Sequence, residues 1–279
     1  MKKRFIIILV ITSLALLCGV VYLVKQNQEQ RTRIPKEEPV TLTAHQREEL
    51  KAYINRYDQE MPCRFGTFGI LKHFVLKGQH LRMFVELNPQ FYILKGISEE
   101  PDIVKRDLFL NLCNLDDSLD PLFLRLAQNR IGLRMELGKE AVEDILEIYF
   151  TADELLKVAQ SKQKDVNPHE LLQSHVEVYN LSLPMKIKKR LTLNSVELTT
   201  DHLIFNHTVK EVQGNEMNRI RAGKQKWGHD LMHTLRNSKS PAVQEVMHLC
   251  RQAKLGMKYR YTGDKSDQQV TLYFDRKMI

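Results

Sequence analysis

Leu193-Asn194-Ser195-Val196-Glu197-Leu198-Thr199-Thr200-Asp201-His202-Leu203-Ile204-Phe205 decides the fold, because its apolar pattern occurs once before, 122 residues upstream. Leu71, Phe74, Leu76, His80, Leu81 and Met83 fall in register on Leu193, Val196, Leu198, His202, Leu203 and Phe205. In both places a polar turn separates two apolar-patterned runs, the signature of paired strands. In the downstream copy Ile187, Lys189, Leu191 and Leu193 alternate with Lys186, Lys188, Arg190 and Thr192, which extends the first strand backwards.

Working outward, each strand pair is preceded by a helical stripe. Leu50, Tyr53, Ile54 and Tyr57 follow the i, i+3, i+4, i+7 spacing and fall on Leu172, His175, Val176 and Tyr179. Thr43 and Gln46 have the spacing of a capping box, and Asn167-Pro168 reads as a cap followed by the first helical residue. Met61-Pro62 and Leu183-Pro184 stop the helices, because a residue before proline disfavours α geometry. Helical segments follow at roughly 101–131 and 226–254, each broken before a proline, Pro121 or Pro241. At a shift of 124, Gly132, Met135 and Leu137 then meet Gly256, Tyr259 and Tyr261, and Ile148-Tyr149-Phe150 meets Leu272-Tyr273-Phe274. Repeats on this scale mark duplicated structural units. The pattern predicts an α+β protein of two α-β-β-α-β-β modules with antiparallel sheets, at residues 43–160 and 161–279.

The amino-terminal segment has a different composition. Met1-Lys2-Lys3-Arg4 precedes 20 uncharged, mainly apolar residues, Phe5 to Val24, closed by Lys25. As a helix they would span about 30 Å, a bilayer core. The run is long for a cleaved signal, and Cys18 lacks the small preceding residue of a lipoprotein signal, having Leu17 instead. The expectation is an N-terminal transmembrane helix through residues 5–24. The charge asymmetry sets residues 1–25 with a cytoplasmic tip in a bacterial inner membrane and residues 26–279 outside the cytoplasm. Residues 26–42, with Pro35 and Pro39, read as a polar tether.

Composition narrows the function classes. The 279-residue chain has a mean hydropathy of −0.36, which excludes a polytopic membrane protein. Four cysteines exclude a disulfide-dense scaffold. Lys and Arg number 42 against 34 Asp and Glu. Residues 26–160 hold 18 basic and 22 acidic residues, whereas residues 161–279 hold 20 and 12. The excess concentrates at Lys186, Lys188, Lys189 and Arg190, and at Arg219, Arg221, Lys224 and Lys226 in a glycine-flanked stretch read as a loop. Such clusters suit an anionic envelope component or an acidic protein face. Nucleic acid is not expected, because the clusters lack interleaved aromatics and the domain is read as extracytoplasmic.

Catalytic signals are sparse. Gly66-Thr67-Phe68-Gly69 lacks the lysine of a phosphate loop, there is no Gly-x-Ser-x-Gly elbow, and no cofactor motif is found. His229 and His233 stand at i, i+4, a spacing that can give zinc two ligands, but Asp230 replaces the catalytic glutamate and no third ligand is evident.

The strings Val176 to Asn180, Leu193 to Glu197, Leu203-Ile204-Phe205-Asn206-His207-Thr208-Val209, Leu255 to Tyr261 and Val270 to Phe274 resemble small bacterial exported or lipoprotein-type modules. The resemblance covers residues 167–274, and reaches 45–155 only through the repeat. It implies a helix-plus-antiparallel-sheet fold and an envelope address, and brings no activity with it. The sequence thus reads as an anchored, extracytoplasmic binding or scaffold protein. A metal-assisted hydrolase built on His229 and His233, or a membrane assembly factor, is the alternative.

Overall fold

The computed structural model describes residues 42–279 apart from 79, 90, 115–118, 140–143, 162–165 and 267. In the first half, α1 (Ala44–Asp58) carries the Thr43/Gln46 capping box and buries Leu50 and Ile54. It is followed by β1 (Cys63–Phe65), β2 (Gly69–Lys77) and β3 (His80–Leu87). The short α2 (Leu94–Ile97), α3 (Pro101–Cys113) and α4 (Asp120–Gln128) lead to β4 (Gly132–Gly138), β5 (Ile145–Phe150) and α5 (Ala152–Gln160). The second half repeats the plan with α6 (Pro168–Asn180), β6 (Met185–Lys188), β7 (Leu191–Leu198) and β8 (His202–Val209). It continues with α7 (Glu216–Ala222), α8 (Lys224–Arg236), α9 (Pro241–Gln252), β9 (Gly256–Gly263) and β10 (Gln269–Phe274).

The two sheets have the same order, β1-β2-β3-β4-β5 and β6-β7-β8-β9-β10. The aligned residues occupy matching places. Met83 pairs with Met135 and Val85 with Leu137 in the first sheet, as Phe205 pairs with Tyr259 and His207 with Tyr261 in the second.

Four expectations are corrected. The sheets are mixed: β3 and β4, and likewise β8 and β9, run parallel. A parallel neighbour requires a crossover, and the helices α2–α4 and α7–α9 supply it. The expected transmembrane helix is not supported as part of the fold. No helix among the described residues is long and apolar enough to cross a membrane, and residues 5–24 and most of the tether lie outside the described residues. The expected single strand through 186–193 is a hairpin instead. Lys189 and Arg190 form its turn, so that Lys186 faces Thr192 and Lys188 faces Leu191 across it. The expected loop carrying Arg219 and Arg221 is the helix α7. Its first residue, Glu216, accepts the backbone N–H groups of Val212 and Gln213, both at 3.0 Å, which folds the preceding chain onto the helix start.

The halves meet along α3 and α6. Nδ1 of His175 lies 3.0 Å from Oδ2 and 2.8 Å from Oδ1 of Asp107, with both side chains buried. Arg106 and Glu177 form an ion pair at the rim of the same contact. The Ile93 N–H donates to Ser182 Oγ at 2.8 Å, and Arg64 donates to the Pro241 carbonyl at 2.8 Å. Gly96 sits so close to the second half that an added Cβ would lie 2.1 Å from the Leu181 carbonyl oxygen. Both partners there are backbone, so no rotamer change can relieve the overlap. Gly96→Ala is therefore expected to destabilise the protein by about 1–3 kcal/mol, the usual range for overpacking. Thermal unfolding followed by circular dichroism checks this, and an unchanged midpoint would disprove the close approach.

Candidate functional site

The two halves share a topology but differ in what fills it. The first sheet turns Leu81, Met83 and Val85 of β3, Leu133, Met135 and Leu137 of β4, and Phe150 of β5 into a core where each is fully buried. Helices α3 and α4 close over them with Val104, Leu108, Leu122, Phe123 and Leu126, also fully buried. In the second half α8 buries only Met232.

The matching sheet positions have changed character as well. Met83, Val85, Met135 and Leu137 become Phe205, His207, Tyr259 and Tyr261. These stack as a ladder across β8 and β9, with Phe205 and Tyr259 centroids 4.7 Å apart and His207 and Tyr261 5.0 Å apart.

Above the ladder lies a cavity of about 830 Å³. Its walls are Leu172, Val176 and Tyr179 of α6, Leu231 and Leu235 of α8, and Val243, Val246 and Met247 of α9. Phe91, Tyr92 and Ile93 of the first half complete one side, held there by the Phe91–Tyr179 and Tyr92–Tyr179 ring contacts. Small-molecule sites are typically apolar concavities of about 300–1,000 Å³ with a few placed polar groups. A second chamber of about 550 Å³ adjoins it, sharing Lys188, Leu191, Leu231 and Tyr261 as common walls. Trp227, 44 % exposed, and the helix α7 residues Arg219 and Ile220 line this outer chamber.

The sequence-predicted cations divide three ways. Lys186 and Lys188 border the inner cavity, and Lys188, Arg190 and Arg219 border the outer chamber. Lys189, Arg221 and Lys226 are exposed and lie outside both. Lys224 lies elsewhere, in a groove of about 600 Å³ that also carries His229 and His233. Both imidazoles are exposed, with Asp230 3.7 Å from His229. No group of three or more His, Cys, Asp or Glu suited to a metal ion occurs among the described residues. Cys63, Cys113 and Cys250 are all free thiols.

Sequence reasoning missed the polar groups of the cavity wall. The carboxylate of Asp107 can only accept, so the His175 proton is on Nδ1, and the ring lines the cavity with its buried Nε2 unpartnered. The repeat held a signal for this residue, because His175 stands where the other copy has Tyr53 in an apolar stripe. Beside it, Tyr92 and Thr67 share a 2.6 Å hydrogen bond, and burial pushes the Tyr92 hydroxyl well above its ordinary value. Burial likewise raises Tyr179 and Tyr261 to about 12, so these rings stay neutral.

No protein family and no curated protein matches the chain. A solved structure, described as a "putative secreted protein" from Pseudomonas aeruginosa, is similar at 15 % identity and a TM-score of 0.34, over 42 % of this chain and 97 % of its own.

Two titratable groups tie this region to pH. Burial lowers the His207 imidazole below its ordinary value and outweighs the backbone hydrogen bonds that favour its charged form. The Gln213 N–H, then that of Val212, and Arg190 at 3.4 Å hold Glu216 down at about 2. In both cases the unfolded chain binds protons more readily than the folded one, so folding loses free energy on acidification. The His207 share is complete above about pH 6.5 and declines below it. The Glu216 share is complete above pH 4.5 and is lost as the pH falls to about 2. Melting temperatures measured across this range should fall in two stages, and Glu216→Gln should flatten the lower one. A Glu216→Gln profile parallel to wild type below pH 4.5 would refute the assignment.

Proposed function

We propose that this chain is a non-catalytic binding protein of the bacterial envelope, and that its second half holds an apolar ligand in the cavity above the aromatic ladder. One observation carries the reading. Positions that form a solid aliphatic core in one copy line an 830 Å³ cavity in the other, on the same strands in the same register. Leaving such a volume empty forfeits dispersion contacts and the free energy of burial. A small apolar molecule restores both. The envelope address is supported by the resemblance of residues 167–274 to exported modules, and by the uncharged run of residues 5–24 behind Lys2, Lys3 and Arg4. The first half would serve as the wall that closes one side of the cavity and fixes α6.

The neutral dye N-phenylnaphthylamine, which brightens in apolar surroundings, tests the reading with the full chain. Saturable binding at one site per chain is expected. Val246→Phe, which fills the cavity from α9, should abolish it while keeping a cooperative melt. Dye fluorescence that stays at the level of buffer, or survives undiminished in Val246→Phe, would contradict the proposal.

A further inference from the structure

The outer chamber names the chemical class of the ligand. We infer that the cavity takes a single-chain amphiphile with an anionic head, of the long-chain fatty acid class, with its chain over the aromatic ladder and its head in the outer chamber. The inference rests on the cavity reading above and goes beyond it in the charge it assigns.

Three cations border the outer chamber: Lys188, Arg190 and Arg219. Arg190 is engaged by Glu216 at 3.4 Å, and the Glu216 carboxylate also accepts the backbone N–H groups of Val212 and Gln213. Lys188 and Arg219 form no ion pair among the described residues. Asp230 is the other acidic group in the chamber wall, and it faces His229 at 3.7 Å. The unspent charge is therefore positive. It lies where the two chambers share Lys188 and Leu191. Cations on long stems beside an apolar slot are suited to cover an acyl chain with their methylenes while the charged ends meet a carboxylate. A neutral ligand would leave those charges unused, and a polyanion without an apolar part would leave the cavity empty.

Trp227 lines the outer chamber and is the chain's single tryptophan, so it reports occupancy directly. Titration of the full chain with a dibrominated long-chain fatty acid should quench Trp227 saturably. The neutral monoglyceride of the same brominated chain should bind at least about tenfold more weakly, a difference of about 1.4 kcal/mol. In the double variant Lys188→Glu, Arg219→Glu that preference should collapse or invert. Both sites are exposed, and a melt at the wild-type midpoint would establish that the variant is folded. Equal affinity for acid and monoglyceride in wild type, or a preference that persists in the folded double variant, would overturn the anionic assignment and leave the cavity reading standing. Quenching by neither compound, together with failure of the neutral dye to bind, would overturn both.

Discussion

Asp107 and His175 come from helices on either side of the duplication, and the rest of the structure is arranged around their contact. A carboxylate buried to this depth is tolerated only with a partner, since a lone buried charge costs about 3–5 kcal/mol when its partner is removed. His175 Nδ1 supplies that partner at 2.8–3.0 Å. The pair fixes α3 against α6, and the Gly96–Leu181 approach and the Ile93–Ser182 hydrogen bond then set the distance between the halves. With that distance fixed, Phe91, Tyr92 and Ile93 become a wall of the second half's cavity. The two copies are thus unequal partners. Each has its own buried core, but the second also encloses the cavity, which the first half walls on one side.

On the proposed reading, that inequality is what gives the duplication a use. A repeated fold whose cores were packed alike would offer two equal scaffolds and no site. Here the positions of Met83, Val85, Met135 and Leu137 in the first core carry Phe205, His207, Tyr259 and Tyr261 in the second half, where they line the cavity. The charge divides in the same direction. Lys188 and Arg219 belong to the second half, which carries the basic excess.

Much of this was legible in the sequence. The repeat showed which strands correspond in the two halves, and the Thr43/Gln46 box and Asn167-Pro168 marked true helix starts. Three features were not legible, each for a physical reason. The parallel pairing of β3 with β4 depends on strand order, which hydropathy does not encode, although a helical crossover between two strands hinted at it. The turn at Lys189-Arg190 contains neither Gly nor Pro, so alternation ran through it unbroken. The cavity is a difference between the volume the fold encloses and the volume its side chains occupy, and no single residue records it.

On the proposed reading, the second half is built around a bound amphiphile. Native mass spectrometry of the full chain, isolated from its own cells without detergent, tests it most directly. The account predicts one non-covalent adduct per chain, an anionic acyl compound released on denaturation and absent from Val246→Phe isolated the same way. Bare polypeptide mass in wild type, from preparations whose cavity still binds the neutral dye, would show that the ligand assigned here is not the one the protein carries.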